Sequence, residues 1–222
     1  MNYNEFTKRF ISSILLIPLI VFIVIIGSYS FTFFLYLCFA ISTFEWVNMS
    51  TSKKYLVPGL FVLMLSFYSA YKIRFTNYDE IDGALLFLFI LFICVLTDLG
   101  GYFFGKILKG PKLSKISPKK TISGFVGGFI LPLLIFYLLT KSKILIFDNN
   151  YLDVNFKLII FFIITTSFIS QIGDLTISYF KRLSGIKNSG KIIPGHGGIL
   201  DRMDGMIFTF PYMYIWIMFL DI

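Results

Sequence analysis

The sequence predicts an all-α fold: a polytopic integral membrane bundle of about seven transmembrane helices, with two functional loops on the cytosolic side. Three observations predict it. The 222 residues are 57% hydrophobic and only 14% charged, whereas a soluble domain carries about 25% charged residues. Apolar runs close to the roughly 20 residues that cross a bilayer recur along the whole chain, which has a mean hydropathy of +0.82. Lys and Arg are divided unevenly between alternate loops, as the positive-inside rule requires of a membrane protein.

The apolar runs fall at 10–27, 30–47, 55–71, 83–105, 123–140, 156–178 and 205–221. No soluble domain or long linker fits between them, so 1–222 reads as one membrane domain, with N-terminal helices in 1–82 and the part bearing the large polar loops in 83–222. The first run is long for the apolar stretch of a signal peptide and lacks an A-x-A-like site, and so reads as a retained helix. Fifteen Lys and Arg lie in one set of loops, among them Lys8, Lys53, Lys119 and Lys181; five lie in the other, Lys72, Arg74, Lys141, Lys143 and Lys157. This predicts a cytosolic N-terminus and a C-terminus on the opposite side of a plasma membrane. The net charge of +8 is therefore a topology signal, and nucleic acid is not an expected partner. Cys38 and Cys94 both fall inside apolar runs and read as small buried hydrophobes rather than a disulfide.

Polar chemistry concentrates in one stretch, Ser178 to Asp204, where Lys181, Arg182, Lys187, Lys191 and Arg202 share the chain with Asp201, Asp204 and Gly195-His196-Gly197-Gly198. Glycines let backbone N–H groups converge on an anion, cations beside them suit phosphate, and aspartates suit the divalent metal that phosphate brings. If the sixth span stays helical, Asp174, Ser178 and Lys181 form one polar stripe at i, i+4 and i+7, and one helical turn would present Asp201 and Asp204 to the same side. The alternative is that these two acids only cap and neutralise the seventh helix. Glu45, Asp98 and Asp174 lie near the cytosolic ends of spans, and acids at such depth usually face a polar cavity. The second loop, 106–122, is shaped by Pro118 and the break at Gly124; its Ser117, Lys119, Lys120 and Thr121 can clamp phosphates or, more blandly, touch anionic lipid. Gly101-x-x-x-Gly105 and Gly124-x-x-x-Gly128 read as helix-packing patterns. Neither a P-loop nor an H-E-x-x-H pair occurs.

These residues carry a resemblance. Ser178, Lys181-Arg182, Lys187-Asn188-Ser189-Gly190, Pro194-Gly195-His196-Gly197-Gly198, Asp201-Arg202 and Asp204 together resemble the signature of phosphatidate cytidylyltransferases (CDP-diacylglycerol synthases). Upstream, Gly173-Asp174-Leu175 is similar to the family's G-D-L and Ser117-Pro118-Lys119-Lys120-Thr121 to its S-P-x-K-T. Asp98, Gly100 and Tyr102 resemble D-x-G-A-Y, and Glu45-Trp46 an early E-W pair. Three positions depart from the pattern: Asn188 stands for an Asp, Ile177 for a Glu, and Ser123 for a Glu or Gln. Asn188 loses a charge and Ile177 cannot ligate, which leaves the number of metals open.

The resemblance implies that CTP and phosphatidate yield CDP-diacylglycerol and pyrophosphate at the bilayer, with Mg²⁺ and a second, monovalent cation such as K⁺. It implies Asp174 and Asp201 as metal ligands, with Asp98 and Asp204 beside them. Lys181, Lys187 and Arg202 would act on the reacting phosphates. Ser117, Lys119, Lys120, Thr121, Ser178, Arg182, Gly195, His196, Gly197 and Gly198 would bind substrate, His196 by positioning rather than by carrying a proton. A homodimer is compatible with such a protein. Two other classes remain open: a CTP-dependent kinase of a lipid alcohol, whose nucleophile must lose a proton, and an ion-coupled transporter using Asp98 and Asp174.

Overall fold

A computed structural model of the chain describes residues 16–50, 52–75, 80–114, 117–142, 149–190, 192 and 197–220. The described residues are helical apart from their connections, as the sequence predicts. The helices are α1 (Leu16–Ile26), α2 (Ser28–Met49), α3 (Lys53–Arg74), α4 (Glu80–Leu108), α5 (Ile122–Lys141), α6 (Asn149–Leu183), the short α7 (Leu200–Met203) and α8 (Met206–Leu220). Five of them, α2 to α6, are long and apolar enough to cross a membrane, whereas α1 and α8 are shorter apolar helices. Helices suit this composition because a lipid-exposed backbone must satisfy its own hydrogen bonds. Large apolar side chains point outward all around the bundle, Phe22, Phe33, Phe61 and Phe219 among them. That surface fits lipid as solvent and makes this an integral membrane protein.

The hub is α4, which packs against α3, α5, α6 and α8. Its closest partner is α5. A Cβ on Gly100 would stand 2.3 Å from the Gly127 carbonyl oxygen, and one on Gly124 would stand 2.6 Å from that of Gly101. Side chains larger than hydrogen would separate these helices, so the two small-residue patterns are packing seams, as their spacing predicts. Between α4 and α6 the buried Thr97 hydroxyl donates to Ser167 Oγ at 3.0 Å, a polar tie inside an apolar layer. The main core gathers Phe31, Trp46, Phe67, Phe87, Phe162, Ile177 and Phe210. Cys38 and Cys94 are free and buried, in keeping with their apolar surroundings.

At one end of the bundle, α1 and α2 are divided by Gly27 and Ser28, both with positive φ. Arg74, only 2% exposed, fills the break, donating from Nε to the Val24 carbonyl at 2.7 Å and from a terminal nitrogen to Ile25 at 3.3 Å. Arg74 counts as a loop charge in the sequence, yet it is a buried cap on the last carbonyls of α1. The C-termini of α2, α4 and α6 lie at the other end. There the Ser184 hydroxyl donates to the Met49 carbonyl at 2.5 Å, tying the ends of α6 and α2 together.

Candidate functional site

The site is built where α4, α6 and the α7–α8 corner meet. α6 remains helical through residue 183, so its polar stripe forms as expected: Ser178 Oγ donates to Asp174 Oδ1 at 3.2 Å. One turn further, Lys181 reaches across to α7, where its ammonium lies 2.8 Å from Asp201 Oδ1 and 3.9 Å from Asp204 Oδ2. The helical turn at Leu200–Met203 puts both acids on the side facing α6, which the i, i+3 spacing predicts.

The loop between α4 and α5 is a folded turn rather than a loose strap. Leu113 N–H donates to the Lys120 carbonyl at 2.8 Å, and Ile122 N–H to that of Pro111 at 3.0 Å. Thr121 caps α5 by accepting from Gly124 N–H at 3.1 Å, an ordinary N-cap role for a threonine. Ser123 donates to the Lys109 carbonyl. This turn delivers Lys120 to α6, where its ammonium pairs with Asp174 Oδ2. Lys119 is exposed, and Ser117 accepts the Lys120 N–H through its carbonyl at 3.0 Å.

Asp201 is heavily engaged. Besides Lys181 on Oδ1, its Oδ2 accepts the N–H groups of Ser189 at 2.8 Å and Gly198 at 3.0 Å. Burial would raise its carboxyl, but Lys181 and the two N–H donors outweigh burial and hold it below the ordinary carboxylate value. Asp204 is the opposite case. Burial first, then the charges of Asp174 and Asp98, push it well above that value, against the opposing pull of Lys181 and its hydrogen bond from Gly205 N–H. Asp98 lies within the same field, alongside Asp174, Lys120 and Arg202.

Five further predicted residues fall within the described chain. Arg182, Lys187 and Arg202 are exposed, the Arg182 guanidinium donating to the Ile186 carbonyl at 3.0 Å. Gly198 is buried, and Gly197 has a φ of +89° with no room for a Cβ, which would stand 2.6 Å from Asp201 Oδ2. Gly195 and His196, both predicted to bind substrate, lie outside the described residues. The three departures from the family pattern are harmless to the packing. Ile177 is 3% exposed and belongs to the main core, Asn188 is exposed, and Ser123 serves the α4–α5 turn.

The residue that sequence reasoning underrated is Glu45. It is 2% exposed. Its Oε2 accepts Ser189 Oγ at 2.8 Å and Leu200 N–H at 2.9 Å, while Oε1 accepts Ile199 N–H at 3.1 Å. The signal was there: a lone acid in an apolar run needs donors, and the glycine-rich stretch is where spare backbone donors are found.

Among the described residues no three His, Cys, Asp or Glu side chains stand close enough to hold a metal by themselves. Asp98, Asp174 and Asp204 nevertheless come from three elements into one electrostatic field. An all-oxygen set fits Mg²⁺, which usually takes one or two carboxylates and completes its shell with water and substrate phosphate.

Comparison with known proteins accords with this geometry. A model of the cytidylyltransferase family matches residues 57–220. The phosphatidate cytidylyltransferase of Staphylococcus haemolyticus is 36% identical over 168 residues, covering 75% of this chain and 62% of that protein. The same-named protein of Staphylococcus saprophyticus is 38% identical over 170 residues, with the same coverage. That of Rickettsia felis is 35% identical over 210 residues, 93% of this chain and 89% of the relative. The chain thus spans less than two thirds of the staphylococcal relatives, 62% of their length, and most of the rickettsial one.

Proposed function

The chain belongs to the cytidylyltransferase family, and from that premise we propose that it transfers the cytidylyl group of CTP to phosphatidate at the cytosolic face of the membrane, releasing pyrophosphate. The observation that carries this reading is the carboxylate set Asp98, Asp174 and Asp204, flanked by Lys120 and Lys181, with Gly197 and Gly198 packed against neighbouring Asp201. It is a place for a cation and phosphates together, not for either alone.

In this reading a phosphate oxygen of phosphatidate attacks the α-phosphorus of CTP, and the bond from that phosphorus to the pyrophosphate oxygen breaks. The nucleophile is a phosphate monoester with a second pKa of about 6, so it is largely dianionic at neutral pH and needs no strong base. The chain therefore has to bring two anions together and neutralise the charge on the leaving group. Asp174, with Asp98 and Asp204 facing it, would hold Mg²⁺, and Asp201 would share through Oδ1 alone, since Oδ2 accepts two N–H groups. Bound there, the ion would draw charge from the phosphate oxygens. Lys120 sits on Asp174 and is free to exchange that partner for a phosphate. Lys187, Arg182 and Arg202 are exposed and would meet an incoming triphosphate or lipid phosphate. Ser117, Lys119, Thr121, Ser178, Gly195, His196, Gly197 and Gly198 complete the proposed substrate contacts. A monovalent cation, a homodimer and a seven-fold membrane crossing with the N-terminus in the cytosol belong to the same proposal.

The test is a CTP-plus-phosphatidate assay on purified protein, with a lipid alcohol fed in parallel. Label should enter CDP-diacylglycerol only from phosphatidate, and Asp174→Ala and Asp201→Ala should each lower turnover about 10³-fold or more, as loss of charge neutralisation demands. Turnover of the alcohol instead, or unchanged rates in both variants, would refute the reading.

A further inference from the structure

Two carboxylates, Asp201 and Glu45, hold the chain on both flanks of the glycine signature, at Ser189 and at residues 198–200. Asp201 grips the backbone of both flanks, accepting N–H from Ser189 on the incoming flank and from Gly198 on the outgoing one, at 2.8 and 3.0 Å. Glu45 grips the same flanks from α2, accepting Ser189 Oγ at 2.8 Å and the N–H groups of Ile199 and Leu200 at 3.1 and 2.9 Å. Ser189 is thus shared, its N–H on one acid and its hydroxyl on the other. The fit around Glu45 is close. A Cβ on Gly190 would stand 2.3 Å from its Oε1, and one on Gly198 2.3 Å from its Oε2.

Glu45 makes no contact with Asp98, Asp174 or Asp204. It lies before the segment 57–220 that the family model matches. Its effect on the site is transmitted through these flanks. If Ser189 and residues 199–200 shift, the N–H groups that hold Asp201 Oδ2 shift with them, and Asp201 is what anchors Lys181 between the two acids of α7. We infer that Glu45 is a positioning residue of the transfer reaction: from α2 it clamps Ser189, Ile199 and Leu200 and thereby sets where Gly197, Gly198 and Asp201 meet nucleotide phosphate. This rests on the reading that the glycine signature binds CTP.

The experiment compares wild type with Glu45→Gln, Glu45→Ala, Ser189→Ala and Phe31→Leu in the full chain. Phe31 lies on the same helix, fully buried, with its ring beside Phe75 and Phe87 at the far end of the bundle. It controls for loss of α2 packing. Amide hydrogen exchange over 197–203 is measured beside the unfolding midpoint, and steady-state kinetics beside both. Glu45→Ala should speed exchange in that segment about tenfold or more and raise the apparent KM for CTP about tenfold. The KM for phosphatidate should move less than threefold. Glu45→Gln keeps one acceptor oxygen and should fall between, and Ser189→Ala should shift both readouts in the same direction by less. Phe31→Leu should lower the midpoint while leaving exchange in 197–203 and both KM values within twofold of wild type. Two results would overturn the inference: unchanged exchange over 197–203 in both Glu45 variants, or Phe31→Leu reproducing their kinetics at an equal fall in midpoint. If wild type does not turn over CTP and phosphatidate, the proposed activity fails, and the exchange comparison alone still decides the role of Glu45.

Discussion

Five acids converge on one end of this bundle, and they form two groups with different surroundings. Glu45 and Asp201 are richly supplied with donors, with only Asp201 Oδ1, on Lys181, left to share. Between them they accept backbone N–H groups from Ser189, Gly198, Ile199 and Leu200, a serine hydroxyl, and the Lys181 ammonium. Asp98, Asp174 and Asp204 share one field with Lys120 and Lys181, and the charges of Asp174 and Asp98 oppose ionisation of Asp204. Lys181 and the N–H donors hold Asp201 below the ordinary carboxylate value, and such donors fix the chain around an acid. Carboxylates set against one another need a cation from elsewhere. Charge and span depth look alike for both groups in the sequence, and only the donors around them separate scaffold from site.

The most direct way to break this contrast is at Asp174. Asp174→Asn keeps the shape and removes the charge, so transfer should fall about 10³-fold or more. The Lys120 ammonium would lose its partner in the same variant. Because that pair is roughly a quarter exposed, its loss should change stability by less than about 1 kcal/mol. A variant that is folded, stable and inactive is the expected result. An unfolded protein would move Asp174 into the scaffold group.

Asp201 and Asp204 sharpen the contrast because their signs differ. Asp201 has a lowered carboxyl, so its contribution to stability is present above the ordinary carboxylate value and is lost only as pH falls through its lower folded value. Asp204 is raised, so whatever it contributes is present below the ordinary value and is lost as pH rises through its higher folded value. Near pH 7 without divalent cation, Asp204 therefore opposes folding. Asp201→Asn should cost about 1–3 kcal/mol by leaving buried donors poorly met, and Asp204→Asn should raise the unfolding midpoint. Chemical denaturation in the presence of chelator checks both, and shifts of the same sign would erase the distinction. Adding Mg²⁺ should narrow the gap, since an ion on Asp204 removes the repulsion that the asparagine relieves.

How much of this was readable beforehand follows from range. The helical runs, the α6 stripe of Asp174, Ser178 and Lys181, and the shared side of Asp201 and Asp204 depend on residues within two turns of each other, and periodicity gives those directly. The family signature also lies largely in one stretch. The Glu45 clamp joins residues separated by 144 to 155 positions, and no local pattern pairs an acid on α2 with amides beside α7. Arg74 was hidden for a related reason. At the end of an apolar run it looks like a topology charge, and only the break at Gly27, 47 positions earlier, gives it carbonyls to cap. His196 lies outside the described residues, so its positioning role stays a proposal.

The smallest effect separates neighbours on the hub helix, where the acids of the site depend on how closely α4 and α5 approach. Gly100 and Gly101 are adjacent, yet only one faces a wall. A Cβ on Gly100 would meet the Gly127 carbonyl oxygen at 2.3 Å and the Leu131 Cβ at 2.9 Å, whereas one on Gly101 finds nothing nearer than the Gly124 oxygen at 3.6 Å. Backbone cannot move aside as a flexible side chain can. Gly100→Ala should therefore push α5 away and cost about 1–3 kcal/mol, with activity falling in proportion as the turn bearing Lys120 withdraws from Asp174. Gly101→Ala places its methyl in ordinary contact and gains helix propensity over glycine, a difference of about 1 kcal/mol in a helix interior, so it should leave stability unchanged or slightly raised. Unfolding midpoints of the two single variants in the same detergent measure the difference. Equal losses would mean that the α4–α5 seam is not the rigid element that sets the distance between Lys120 and Asp174.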